Sequence, residues 1–120
     1  MAGILTPQSD LFYGVTETTQ NAVSANGNGT AIDARGATQI TVVVTGTFTA
    51  VVTFEGSIDG GVTFFPIALL KSADGTYALN AAAAGTFILP TQGPDLSDFR
   101  TPVAWTSGTS VTVKTRKAAH

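Results

Sequence analysis

The sequence predicts an all-β protein: an antiparallel, jelly-roll-like β-sandwich of seven to nine short strands, preceded by an extended N-terminal arm. Three observations carry that expectation. Apolar and polar residues alternate where the signal is clearest: Ala50, Val52 and Phe54 fall on one face, Val51, Thr53 and Glu55 on the other. That is the period-two pattern of a half-buried strand. Clusters of Gly, Asn, Asp and Ser recur at short and even spacing between such runs, as they do where strands of a sandwich turn back on one another. The run Ala81 to Ala84 favours helix by propensity, but four residues before Gly85 are too few to nucleate one.

A chain of 120 residues fits one domain and one core. Only 12% of its residues are charged and the net charge is −2, a balance unlike the basic face that neutralises nucleic-acid phosphates. Cysteine is absent, which excludes disulfides and thiolate metal sites and leaves the redox compartment open. No apolar run approaches the ~20 residues of a membrane-spanning helix. The start, Met1 to Leu5, lacks the basic and apolar regions of a secretory signal.

Residues 1–19 show little periodicity. Their apolar members Ile4, Leu5, Leu11, Phe12 and Tyr13 form two clumps separated by Pro7 and polar residues. This stretch reads either as a poorly ordered terminus or, because a solvated tail has no need of Leu11, Phe12 and Tyr13, as an arm that orders on a partner. The sandwich is expected over residues 20–117, with a short tail at 118–120. Its first strand falls at Gln20 to Val23, followed by the loop Ala25 to Gly29, a second strand at Thr30 to Asp33, a turn at Arg35 and Gly36, and a third strand at Gln39 to Thr45 in which Ile40, Val42 and Val44 share a face.

The segment Gln39 to Leu70 organises the rest. After Ala50 to Glu55 the chain turns at Ser57, Ile58, Asp59, Gly60 and Gly61, and Phe65, Ile67 and Leu69 supply the matching apolar face. A tight hairpin needs positive φ, which Gly reaches without steric cost, while Ser57 and Asp59 can bond loop amides with their own oxygens. Ser57, Asp59, Gly60 and Gly61 are therefore a structural turn. The spacing Ser57-x-Asp59-x-Gly61-x-Thr63-Phe64 resembles the Asp-box hairpin of sialidase propellers, with Phe where Trp is usual. It occurs once, in a chain too short for a propeller, and so reads as a folding device.

Beyond this hairpin, Lys71 to Gly75 forms a turn, Thr76 to Asn80 a short strand and Thr86 to Leu89 another, which Pro90 ends. Thr91 to Asp98 is a surface loop. Phe99 to Trp105 follows as a strand that Pro102, lacking a donor, confines to an edge or bulge. Thr106 to Thr109 turns the chain into Ser110 to Arg116, with Val111 and Val113 inward and Thr112 and Lys114 outward. The core so predicted is Val42, Val44, Val52, Phe54, Phe65, Ile67, Val111 and Val113.

Candidate chemistry is sparse. Asp95 and Asp98, with Asp74 or Asp59 nearby, supply the kind of loop carboxylates that hold calcium, but solvated acids read more simply, and no metal or cofactor is expected. Glu17 and Glu55 are the only glutamates and His120 the only histidine, so neither a paired-carboxylate glycosidase nor a base-activated nucleophile is indicated. The expectation is that the chain is not an enzyme. Lys114, Arg116 and Lys117 either keep an outer face soluble or meet an acidic partner. Arg100 is expected to pair locally with Asp98 or Asp95. Trp105 and Tyr77 could stack on a sugar, although packing is the commoner role of a lone Trp.

The run Val52 to Ile67, with Ala31 to Gly36 before it and Phe99, Arg100 and Thr106 to Val113 after it, resembles the small β-sandwich structural proteins of tailed bacteriophages, most closely head decoration (capsid cement) proteins. The likeness spans residues 20–116 and departs from the group at Phe64, where Trp is more usual, and at Pro102, which interrupts a strand. It implies a non-enzymatic virion component made in the host bacterial cytoplasm and bound to the capsid surface. The implied partner is the major capsid protein, with a homo-oligomer, such as a trimer, as the working unit and neither nucleic acid nor membrane involved. Two other readings stand beside it: a carbohydrate-binding or host-adhesion module of a phage particle, and a tail or neck structural protein.

Overall fold

The computed structural model describes residues 15–89 and 96–119. Their strands are β1 (Val15–Val23), β2 (Ile32–Asp33), β3 (Ala37–Thr53), β4 (Glu55–Ser57), β5 (Phe65–Pro66), β6 (Leu69–Lys71), β7 (Tyr77–Ala78), β8 (Asn80–Ala81), β9 (Gly85–Leu89), β10 (Asp98–Arg100) and β11 (Val103–Ala119). Seven form one antiparallel sheet in the order β1-β11-β3-β9-β6-β7, with β8 paired to the end of β3, and four form a second in the order β2-β10-β4-β5. The predicted all-β sandwich is what the chain adopts. Its division into seven strands and four differs from the paired four-stranded sheets of a jelly roll.

Two 17-residue strands, β3 and β11, form the spine. Thr and Val dominate both, and branched side chains suit a pleated surface packed on one side. Even positions of β3 point inward, with Ile40, Val42, Val44, Ala50 and Val52 all buried, and odd positions of β11 answer with Val103, Val111 and Val113. The two strands pair from Val103↔Val52 to Ala119↔Ala37, with register shifts between Trp105 and Ser107 and between Gly108 and Ser110. The expected turn at Thr106 to Thr109 is thus an irregular stretch inside a continuous strand. Gly46 and Gly108, at φ 122° and 120°, absorb the bend without ending the pairing.

The chain crosses between the sheets several times, and two of the short crossings lie side by side. Between β3 and β4 the crossing residue is Phe54, fully buried; its N–H donates to Leu79 O at 3.1 Å and its carbonyl accepts from Ile67 N at 2.8 Å. Between β10 and β11 it is Thr101 and Pro102, so the stretch expected as one strand is two, each in a different sheet. Pro102 has no donor to lose there, and its carbonyl accepts from Thr53 N at 2.9 Å. Phe54 meets the ring of Phe87 from β9 at 4.9 Å between centroids, tilted by 49°. The same buried core contains Ile67, Leu69, Leu89, Leu96, Phe99 and Ile32. Phe65, expected inside, is only partly buried and packs on the margin of the core.

The ends of the body differ from the expected boundaries. Pairing with β11 begins at Val15↔Lys117 and Thr16↔Arg116, so residues 15–19 belong to the sheet, not to an arm ending at Thr19. β11 likewise continues past Lys117, with Ala118 opposite Gln39. Apart from Val15 both extensions are polar or small and carry no apolar period; what recruits them is the long partner strand. Thr19 is buried and its Oγ1 lies 2.8 Å from Thr101 Oγ1 and 3.1 Å from Thr115 Oγ1. Buried Gln20 donates from Nε2 to Thr101 O at 2.8 Å and to Gly27 O at 3.2 Å. Among the described residues no buried side-chain donor or acceptor is left without a partner, as burial of polar groups requires.

Candidate functional site

The β4 to β5 hairpin builds its loop from Ser57 outward. Ser57, fully buried, donates from Oγ to Asp59 Oδ1 at 2.6 Å and accepts from the amides of Asp59 and Gly61 at 3.3 and 3.0 Å. Asp59 Oδ1 in turn accepts from the amides of Val62 and Thr63 at 3.2 and 2.9 Å. Gly60 and Gly61 have φ of 78° and 88°, the positive values that close this turn. The loop so tied presents Ile58 and Val62 to solvent, 68% and 83% exposed.

The Ser57 hydroxyl, followed by the Thr63 amide, draws the Asp59 carboxyl down to about 2. A carboxylate with a depressed pKa stabilises the fold fully above the unfolded value near ~4 and loses that contribution as pH falls through the folded value. Acidification from about 4 to about 2 is therefore expected to loosen this loop, read as loss of amide protection at Val62 and Thr63. Ser57→Ala is expected to cost about 1–3 kcal/mol at neutral pH, because two amides and a carboxylate lose their partner. An unchanged denaturation midpoint for this variant would show that the loop's bonds do not support the hairpin.

Beside the loop, Asp33, Arg35, Gly60, Ser97 and Asp98 line an open cleft of about 220 Å³. Arg35 donates to both Asp33 oxygens, from Nε at 2.9 Å and from Nη2 at 3.0 Å, and holds that carboxyl well below the usual range. The pair is exposed, so it adds little stability. Ser97 Oγ is engaged with main chain, donating to Ser57 O at 3.1 Å and accepting from Gly60 N at 2.9 Å. A second recess, about 150 Å³, lies among Lys71, Ala78, Asn80 to Ala84 and Phe87. Neither recess combines a hydroxyl nucleophile with a histidine. Among the described residues no three His, Asp or Glu side chains gather as a cation site, and Asp95 and His120 lie outside those residues.

The remaining candidates are spread over the molecule. Arg100 pairs across strands with Glu55 at 2.7 Å rather than with Asp98, because β10 and β4 set Arg100 opposite Glu55, and its guanidinium carbon lies 3.9 Å from the centre of the Phe64 ring. Sequence reasoning missed this pair, which only the strand register reveals. Asp74 accepts from the Thr76 amide and hydroxyl at 3.1 and 2.7 Å, within its own turn. Thr16, Arg116, Thr41, Ile88, Leu70 and Tyr77 stand in one cross-strand row over six strands. Arg116 bonds Thr16 Oγ1 at 2.8 Å and Lys117 Nζ reaches Arg35 O at 3.1 Å. Tyr77 is exposed on that row, whereas Trp105 packs against the core; the two form no common aromatic platform. Leu11, Phe12 and Tyr13 lie outside the described residues.

These features define an all-β sandwich of two uneven antiparallel sheets whose most exposed large apolar side chains, Ile58, Val62, Tyr77 and Leu79, sit on a hairpin loop and at or beside the edge strand β7. Two solved structures share the fold. The SPBc2 prophage-derived protein YomS superposes with a TM-score of 0.78 at 16% identity, over 88% of this chain and 93% of YomS. The PBSX exported protein XepA superposes with a TM-score of 0.80 at 19% identity, again over 88% of this chain but over 38% of XepA. At such identities the likeness shows the fold. No protein-family model and no curated protein sequence matches the chain.

Proposed function

We propose that this chain is a non-enzymatic structural protein of a tailed-phage particle that decorates the capsid, binding the outside of the major-capsid-protein shell and stabilising it. The observation that carries the reading is the likeness to proteins of two prophages, which in YomS extends over 93% of the neighbour. There the sandwich makes up nearly a whole phage-derived protein, as a small decoration protein requires. Many copies, acting as a homo-oligomer such as a trimer, would hold neighbouring shell subunits together, and each bond can then be modest. Attachment runs through the N-terminal arm: Leu11, Phe12 and Tyr13 each contribute about 1.5–3 kcal/mol when buried on the shell, less the cost of ordering the arm.

A second reading has its own observation. XepA is an exported protein and the chain matches 38% of it, which suits a binding or adhesion module, one that takes carbohydrate for instance, within an exported phage protein.

Truncation separates arm from body. Deleting residues 2–14 leaves every described strand whole and is expected to preserve the melting temperature while abolishing retention on purified capsids. Deleting residues 2–19 also removes half of β1 and the buried Thr19 hydroxyl, and is expected to lower the melting temperature as well. If the protein lacking residues 2–14 is retained as well as the full chain, the arm is not the attachment; if the full chain is not retained, the decoration reading is wrong.

A further inference from the structure

We propose that Asn28 is a site of spontaneous deamidation, and that the same dipeptide two residues earlier, Asn26-Gly27, is protected by the fold. The loop between β1 and β2 carries Asn-Gly twice in succession. In an Asn-Gly pair the glycine nitrogen is unhindered by a side chain and can attack the asparagine Cγ, which makes asparagine a labile residue there. The N–Cγ bond forms, the Cγ–Nδ2 bond breaks, and ammonia leaves with the proton that the glycine nitrogen gives up. Water then opens the five-membered imide. Attack at Cγ leaves aspartate, and attack at the main-chain carbonyl leaves isoaspartate, whose backbone runs through the former side chain and is one atom longer.

The structure treats the two pairs differently. At Asn26-Gly27 both reacting groups are held: the Gly27 amide donates to Val103 O at 3.1 Å, and Asn26 Oδ1 accepts from Trp105 N at 2.6 Å. A second main-chain bond, Val103 N to Gly27 O at 2.7 Å, locks the segment to β11. Reaction there requires local opening of all three. At Asn28-Gly29 the side chain is exposed, and among the described residues neither it nor the Gly29 amide has a hydrogen-bond partner. At Asn21 the attacking amide is held too, since Ala22 N donates to Thr112 Oγ1 at 3.0 Å.

The product has a structural consequence. Gly29 lies at φ 69°, and a Cβ placed on it would run into Thr19 O and the Gln20 side chain. The next residue donates from Thr30 N to Thr19 O at 2.9 Å. An extra backbone atom at residue 28 has no slack to enter, so isoaspartate displaces this contact and loosens β1 from the sandwich. Deamidation thereby acts as an ageing step on the strand that follows the arm.

The full chain is incubated in mildly alkaline buffer, folded or in concentrated urea, and each asparagine is followed by peptide mass mapping, with methyltransferase labelling for isoaspartate. In urea the two Asn-Gly sites are expected to react at similar rates. In the folded chain Asn28 is expected to outpace Asn26 about tenfold or more, because two of the bonds above hold the reacting groups of Asn26-Gly27. The aged protein is expected to melt lower than fresh protein, while Asn28→Gln, whose longer side chain closes the ring poorly, keeps its melting temperature on ageing. Equal rates at Asn26 and Asn28 in the folded chain overturn the assignment, and an unchanged melting temperature in protein carrying isoaspartate at residue 28 overturns its consequence.

Discussion

Phe54→Ala is expected to remove about 3–5 kcal/mol of folding free energy, the range for a large aromatic truncated in a core that cannot collapse around the gap. Phe54 is fully buried and lies 4.9 Å from the Phe87 ring. It also joins β3 of the seven-stranded sheet directly to β4 of the four-stranded one, within the buried core. The surroundings are poorly placed to close in, since the backbone on either side is tied to Leu79 and Ile67. The denaturant midpoint is expected to fall with little change in slope. A loss under about 1 kcal/mol would contradict its place in the core.

The second large effect falls on two glycines at which the long strands bend, Gly46 in β3 and Gly108 in β11, the latter inside the stretch that the sequence presents as a turn. Gly46→Ala and Gly108→Ala are each expected to cost about 2–5 kcal/mol, combining backbone strain of about 1–3 with overpacking of similar size. Both residues have φ near 120°. A Cβ at Gly46 would strike Ser110 O, and one at Gly108 would lie 2.5 Å from Phe48 Cα and 2.7 Å from Thr47 O. These contacts are with main chain, which cannot swing aside as a side chain could. Gly36 is the control: its φ is 74° and a Cβ added there would meet nothing within 4 Å, so its replacement by Ala is expected to cost only the strain of a left-handed residue, about 1–2 kcal/mol. Equal, small losses at all three positions would mean that β3 and β11 do not approach as closely as described.

The same glycines mark how far the sequence can be read. Alternation in Gln39 to Thr45, Ala50 to Glu55 and Ser110 to Arg116 is a local property, and it assigns Val42, Val44, Val52, Phe54, Val111 and Val113 to the inside, where all are buried. Whether a Gly among threonines ends a strand or bends it depends on the partner strand, because turns and bulges both use positive φ. From sequence the long strands β3 and β11 therefore read as several short ones. From sequence Thr19 ends the arm and Gln20 opens a strand, but their burial rests on Thr101 and Thr115, more than 80 positions away. Sequence proximity gives Arg100 to its neighbours, whereas sheet pairing gives it Glu55. The Ser57 to Gly61 turn is legible in detail because its bonds join residues a few positions apart.

The proposed function is tested most directly by locating the chain in a cryo-EM map of the intact phage particle. The account predicts a sandwich-sized density on the outer surface of the capsid shell, repeated across it, with residues 1–14 ordered against the major capsid protein. Particles that lack the chain on their heads, with the protein recovered instead from the medium or from the tail, would contradict it.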